Sequence, residues 1–226
     1  TFEGKLLALQ NFVSLIHKST ARDYLARVNE VDKAWAAEKA IQYGKDYWDG
    51  DRLTGYGGYV YDGRWRTVAD AMVEAYGIKP GDRILDVGAG KAFLLYDLTQ
   101  AVPGVEVAGI DISRYAIDNS IEAVRDTLVE GSAESLPWPD DHFDLVISIT
   151  TLHNLYLHQL FPAFEEIERV ARGNKYVCVE SYRNEREKVN LMYWQLTCRQ
   201  FNTPEEWQFL FDKTGYTGDH ELIYFE

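Results

Sequence analysis

Cysteine is scarce and positive charge is in deficit. Only Cys178 and Cys198 occur, without metal-ligand spacing between them, so neither a disulfide framework nor a zinc site is expected, and a reducing, cytoplasmic setting fits. Lys and Arg number 23 against 36 Asp and Glu, a formal net charge of −13. A field of that sign repels phosphate backbones, and no basic cluster with interleaved aromatics offsets it, so nucleic acid is not an expected partner. No apolar run approaches the ~18 residues of a membrane helix. Residues 1–20 also lack the basic-then-apolar order of a signal peptide, so neither membrane insertion nor export is expected. Internal repeats are missing too.

What is present has globular proportions. Hydrophobic residues at 46% and charged residues at 26% of 226 suit one core with a decoration. Leu6, Leu7, Leu9, Phe12, Val13, Leu15 and Ile16 form one helical stripe, and Tyr24, Leu25, Val28, Val31 and Trp35 a second, so an N-terminal helical cap is predicted. Between 43 and 65, glycines, aspartates and aromatics alternate without regular period, the composition of a loop. From 67 the pattern is regular. A helix to 76 and a turn at 79–82 lead to a strand at 83–87, a helix at 91–100 and a strand at 105–111. Ser113 then caps a helix, followed by strands at 128–131 and 143–149, a helix at 158–170 and a strand at 175–180. After an irregular stretch at 192–201, Thr203-Pro-Glu-Glu206 is a capping box with proline at the first helical position, Gly215 closes that helix, and 220–225 is a last strand. Strands alternating with helices predict an α/β fold: a doubly wound, mostly parallel sheet with helices on both faces. Two units follow, a cap with a tyrosine- and glycine-rich lid at 1–65 and a Rossmann-like domain at 66–226.

Gly88 and Gly90, flanking Ala89, end an apolar strand and open a helix, where absent Cβ atoms let backbone amides approach a ligand. A tight turn needs glycine for its dihedrals alone, so the pair is weak by itself. Asp111, followed by Ile112, ends the next strand 23 residues after Gly88, near the ~20 expected of a carboxylate that accepts ribose hydroxyls.

With these residues the stretch from 77 to 173 resembles the class I S-adenosylmethionine (SAM)-dependent methyltransferases, in particular their small-molecule branch. Asp86-Val-Gly88-Ala-Gly90-Lys-Ala92 keeps the family's first motif except its last glycine, replaced by Ala92. Glu130-Gly-Ser-Ala-Glu-Ser-Leu-Pro137, Phe143-Asp-Leu-Val-Ile-Ser148 and Leu152-His-Asn154 fit later motifs. The resemblance implies SAM as cofactor, with Asp86 toward the methionyl ammonium, Asp111 on the ribose and the backbone near Ile149 at the amino-acid end. Ser132 stands where the family's adenine-binding aspartate is usual, and the Ala133 amide can donate to the ring. NAD is disfavoured because Phe93 fills the place of the third glycine of Gly-x-Gly-x-x-Gly.

The acceptor side is read from position. His153 follows the fourth strand at the carboxyl edge of the sheet and is either a base for an acceptor hydroxyl or amine, or a ring bonded to backbone. Glu180, Tyr182 and Arg183 leave the fifth strand at the same edge, with Glu180 and Arg183 alternatively a surface ion pair. Tyr193 and Trp194 can form an aromatic wall or belong to the core. Tyr56, Tyr59 and Tyr61, set among glycines, suit a lid in which Tyr56 or Tyr59 reaches the acceptor or the methionyl carboxylate and Arg64 supplies charge. The function expected is methyl transfer to an oxygen or nitrogen of a small molecule, without a metal. A SAM-cleaving or cyclising enzyme and a non-catalytic SAM-binding subunit stay open, as does a homodimer.

Overall fold

A computed structural model describes residues 9–18 and 22–226; Leu6 and Leu7 of the first predicted stripe lie outside them. Six strands, β1 (Arg83–Val87), β2 (Glu106–Asp111), β3 (Leu128–Glu130), β4 (Phe143–Ile149), β5 (Ala171–Glu180) and β6 (Asp219–Ile223), form one sheet in the order β3-β2-β1-β4-β5-β6. Every neighbouring pair is parallel. The helices are α1 (Ser14–Lys18), α2 (Tyr24–Asn29), α3 (Lys33–Ala40), α4 (Lys45–Trp48), α5 (Trp65–Tyr76), α6 (Phe93–Ala101), α7 (Arg114–Asp118), α8 (Glu122–Arg125), α9 (Leu157–Val170), α10 (Glu185–Trp194) and α11 (Pro204–Thr214).

Strand periodicity divides the core in two. Ile84, Leu145, Ile147, Tyr176 and Cys178 face one side and pack with Val68 and Met72 of α5 and Leu94, Leu95 and Leu98 of α6. Leu85, Val87, Val146 and Val177 face the other and meet Phe164 and Ile167 of α9 and Trp207 and Phe211 of α11. Burial on both faces explains why these strands read as continuous apolar runs. Strand order reverses between β1 and β4, so the crevice where ligands bind in such sheets lies at the carboxyl ends of those two strands.

Several boundaries differ from the sequence reading. The stripe from Tyr24 to Trp35 is broken into α2 and α3 because Asp32 caps α3, its Oδ1 accepting from Trp35 N at 2.9 Å. The loop of 43–65 contains α4. β5 begins at Ala171, four residues early, because Ala171 and Asn174 still pair with Phe143 and Leu145 of β4 across an irregularity that holds exposed Arg172 and Gly173. The stretch expected to be irregular contains the end of α10, whose cap Asn184 accepts from Glu187 N at 3.0 Å.

Residues 9–18 join the sheet at β6. Leu9 bridges His220, and Gln10 N donates to His220 O at 3.0 Å. Buried Glu221 accepts from the amides of Phe12, Val13 and Ser14 at 2.7, 2.9 and 2.6 Å, and from the hydroxyls of Ser14 and Tyr176. Among the described residues no helix is long and apolar enough to cross a membrane.

Candidate active site at the carboxyl edge of the sheet

The turn after β1 is shaped by backbone conformation. Gly88 and Gly90 have φ of 86° and 54°, the left-handed region that glycine tolerates. Gly88 N and Ala89 N donate to Ile110 O at 2.8 and 3.1 Å, and Gly90 N donates to Asp111 Oδ2 at 2.7 Å. These three amides are therefore engaged inside the protein. The two glycines contribute shape and space rather than the ligand-facing donors expected of them. A Cβ on Gly88 would come within 2.0 Å of Thr151 Oγ1, and one on Gly90 within 2.7 Å of Trp48 Cη2. Ala92 has φ of 59° at the N-cap of α6, which accounts for the glycine usual there in the family it resembles.

Asp111 Oδ1 accepts from Ser113 N at 2.8 Å, so each carboxylate oxygen carries one amide and keeps lone-pair capacity for a diol. Burial pushes Asp111 above the usual carboxylate range despite those two bonds. Asp86, 5% exposed, is raised to about 7, first by burial and then by the Asp111 charge, and its Oδ1 has no hydrogen-bond partner. A buried carboxyl oxygen left unmet beside the glycine turn suits a ligand carrying positive charge, which fits SAM. Ser132 Oγ donates to Glu134 Oε2 at 2.9 Å and accepts from Glu134 N at 3.3 Å, leaving one lone pair for an adenine amine. Ala133 is buried beside it. Ile112, next to Asp111, is 55% exposed, while Ile149 belongs to the core.

An aromatic cluster covers this edge. The Trp48 and Tyr56 rings stack at 5.4 Å, Tyr56 and Tyr59 lie 4.5 Å apart, and Tyr59 stacks on Phe93 at 4.8 Å. Trp48 Nε1 donates to Ser113 Oγ at 2.9 Å and to Tyr43 O at 3.0 Å. Buried Lys91 clamps the same segment, its Nζ 2.7 Å from Asp49 Oδ1 and 2.8 Å from Tyr59 O. Tyr61 OH reaches Asp97 at 2.6 Å, whereas Arg64 pairs with its neighbour Asp62.

On the acceptor side His153 is 1% exposed. Its Nδ1 accepts from Glu180 N at 3.3 Å, which places the ring proton on Nε2, 3.4 Å from Glu180 Oε2. With Nδ1 occupied and burial holding its pKa down near about 3, the imidazole is neutral and has no free lone pair for proton abstraction. Glu180, 4% exposed, is pushed up to about 8 by burial; Gln195 Nε2 donates to Oε1, and Oε2 lacks a hydrogen-bond partner. The Tyr56 hydroxyl, against that of Tyr47, is pushed up by Tyr47 first, then by burial and by the charges of Glu180 and Asp111. It therefore lies within electrostatic reach of both carboxylates.

Three expected acceptor residues are placed elsewhere, and the hydroxyl of the fourth, Tyr59, is already engaged within the aromatic cluster. Arg183 does not pair with Glu180 but with Glu187 at 2.5 Å and Glu226 at 2.6 Å. Tyr182 is core. Trp194 is ringed by Arg22, Arg27 and Arg52 at 5.2, 4.6 and 5.6 Å, and the Tyr59 hydroxyl accepts from Trp65 Nε1 at 3.2 Å. Trp48, Lys91, Tyr47 and Gln195 were missed. A lysine inside an apolar strand-to-helix turn was a readable signal for the first two; Gln195 had none.

The chain is similar to known methyltransferases. A family model described as a methyltransferase domain matches residues 78–215. The chain is 38% identical over 112 residues to a demethylmenaquinone methyltransferase of Anoxybacillus flavithermus, covering 46% of each protein. It is 36% identical over 104 residues to a malonyl-[acyl-carrier protein] O-methyltransferase of Geobacter sulfurreducens, covering 44% of this chain and 38% of that one. The chain spans about half the length of most curated relatives it matches. Among solved structures, the YcgJ protein of Bacillus subtilis superposes with a TM-score of 0.55 at 22% identity, covering 65% of this chain and 66% of that one, a likeness of fold. With the domain match running from the approach to β1 through α11, the chain belongs to the class I SAM-dependent methyltransferases.

Proposed function

We propose that the protein transfers the methyl group of SAM to an oxygen or nitrogen of a small-molecule metabolite in a reducing, cytoplasmic setting. The observation that carries this reading is the meeting at one sheet edge of Asp111, the unpartnered Asp86 Oδ1 and the buried Glu180, beneath the aromatic segment 43–61. SAM, when bound, supplies an electrophilic methyl on a sulfonium. Asp111 holds the ribose diol, Ser132 and the Ala133 amide take the adenine edge, and Asp86 balances positive charge at the amino-acid end. Trp48, Tyr56 and Tyr59 exclude water, and the chemistry then needs an oriented nucleophile about 3 Å from the methyl more than it needs strong acid or base. His153 acts by holding Glu180. The demethylmenaquinone and malonyl-carrier relatives support a small or carrier-borne acceptor and do not agree on one acceptor chemistry.

Incubation with methyl-labelled SAM and a fractionated metabolite extract tests the reading. Label should move into a small molecule with S-adenosylhomocysteine formed in equal amount. Methylthioadenosine appearing with no acceptor added would overturn it.

A further inference from the structure

Asp86, Asp111 and Glu180 converge at the carboxyl edge of the sheet, where Lys91 is committed to Asp49 and Lys33 to the carbonyls of Tyr193 and Gln195. Glu180 is the most demanding of the three. Its Oε1 is held by Gln195, its backbone carbonyl by Trp207 Nε1 at 2.9 Å, and its backbone amide by His153, so the residue is fixed from three sides. Its Oε2 has the His153 Nε2 at 3.4 Å and no hydrogen-bond partner. A carboxyl group so rigidly presented, with one oxygen unmet, is a receptor for a donor that arrives from outside. The hydroxyls of Tyr47 and Tyr56 lie within electrostatic reach of it, and their rings pack with that of Trp48 at centroid separations of 5.1 to 5.4 Å. Aromatic faces beside a carboxylate are how proteins recognise ammonium groups.

We propose that the methyl acceptor is a protonated amine and that Glu180, clamped by Gln195 and His153, binds it and takes its proton at Oε2. The proposal rests on the methyl-transfer reading above. In the step, an N–H proton passes to Oε2, the freed nitrogen pair forms the new N–CH3 bond, and the S–CH3 bonding pair stays on sulfur, which leaves as a neutral thioether. Thermodynamics favours this class over alcohols. An ammonium titrates near ~10, about two units from Glu180 at about 8, whereas an alcohol sits nearer the ~16 of water. A phenol matches in acidity but would become an anion among three carboxylates, which an amine does not. The titratable groups facing Glu180 are His153, Tyr47, Tyr56, Cys178, Cys198 and Arg22. Of these Arg22 is the cation; its charge acts on Glu180 while its guanidinium lies over the Trp194 and Phe225 rings.

Benzylamine and benzyl alcohol are matched probes of this site. Calorimetry on the full chain loaded with S-adenosylhomocysteine at pH 8 should show benzylamine binding at least 10-fold tighter than benzyl alcohol, and Glu180→Gln should remove that preference. In the wild-type protein, carboxyl-labelled glutamate followed by NMR should show the Glu180 titration midpoint falling by at least one unit when benzylamine is added, a readout that does not depend on the variant folding. Equal affinity for the two probes, no benzylamine binding, or an unmoved Glu180 midpoint would each overturn the proposal. SAM affinity measured on the same samples separates the two readings: intact SAM binding without amine selectivity sinks this inference alone, and lost SAM binding in the wild type sinks the methyltransferase site itself.

Discussion

The indole of Trp48 lies against the Cα of Gly90, so close that a Cβ at that glycine would come within 2.7 Å of Cη2. The aromatic segment and the glycine turn are therefore fitted to each other directly. Gly90→Ala must both strain a residue at φ of 54° and displace the ring. A loss of about 1–3 kcal/mol is expected. Hydrogen exchange should rise through residues 45–61 while that of β4 and β5 stays unchanged; uniform destabilisation with no local change in exchange would contradict this coupling.

Ala92 runs the opposite way. It is buried in the left-handed region with no side-chain cap for α6, a conformation that costs an L-residue about 1–2 kcal/mol and glycine almost nothing. Ala92→Gly should raise stability by about 1 kcal/mol, read from the urea midpoint at unchanged slope. A destabilised variant would show that the Ala92 methyl contributes more by packing than its backbone costs.

Glu221 is the anchor of residues 9–18. Glu221→Ala would leave three amides and two hydroxyls without their shared acceptor. Its expected cost is about 3–5 kcal/mol, with rapid proteolysis inside residues 9–18 before the rest of the chain is cut. Wild-type resistance in the variant would remove the anchoring role.

Much of this organisation was legible in the sequence because it depends on local period and turn chemistry. The runs at 83–87 and 143–149 are apolar since both faces are covered, and Ser113, Thr203 and Gly215 end or begin helices where their side chains or dihedrals require. Asp32, three residues before Trp35, was an available signal for the break between α2 and α3. The acceptor side was less legible. His153 and Glu180 are 27 residues apart, and which ring nitrogen accepts the Glu180 amide depends on the register of β5 beside β4. Nor could alternation in the 43–65 loop reveal that the Tyr56 hydroxyl comes within electrostatic reach of Glu180 and Asp111 while the Tyr59 hydroxyl bonds Trp65. Arg183 stood at the right edge, but Glu187 one helical turn onward draws it away.

Burial holds the carboxyls of Asp86 and Glu180 up to about 7 and about 8, whereas unfolding returns both to the usual ~4. Over that interval the folded protein carries the extra protons, so their stabilisation is complete below ~4 and is lost as pH rises through the folded values. Each group contributes a slope of about 1.4 kcal/mol per pH unit. Asp144, Glu166 and Glu187, held below the carboxylate range by Arg172, Arg169 and Arg183, act only at lower pH. His153, held at about 3 by burial, and His142 and His220, also lowered, act in the opposite sense below the unfolded ~6.5, so urea midpoints should fall from about pH 6.5 to pH 8, less steeply for Glu180→Gln. Parallel profiles would show that Glu180 is ionised throughout.

The measurement that tests the account most directly is calorimetric titration of the wild-type protein and Asp111→Asn with SAM, S-adenosylhomocysteine and NAD. The account predicts that the wild type binds both SAM and S-adenosylhomocysteine and shows no heat with NAD, and that Asp111→Asn weakens SAM by roughly 1.5–3 kcal/mol through lost charge-assisted bonds. Binding of NAD with none of SAM, or undiminished SAM affinity in the variant, would contradict it.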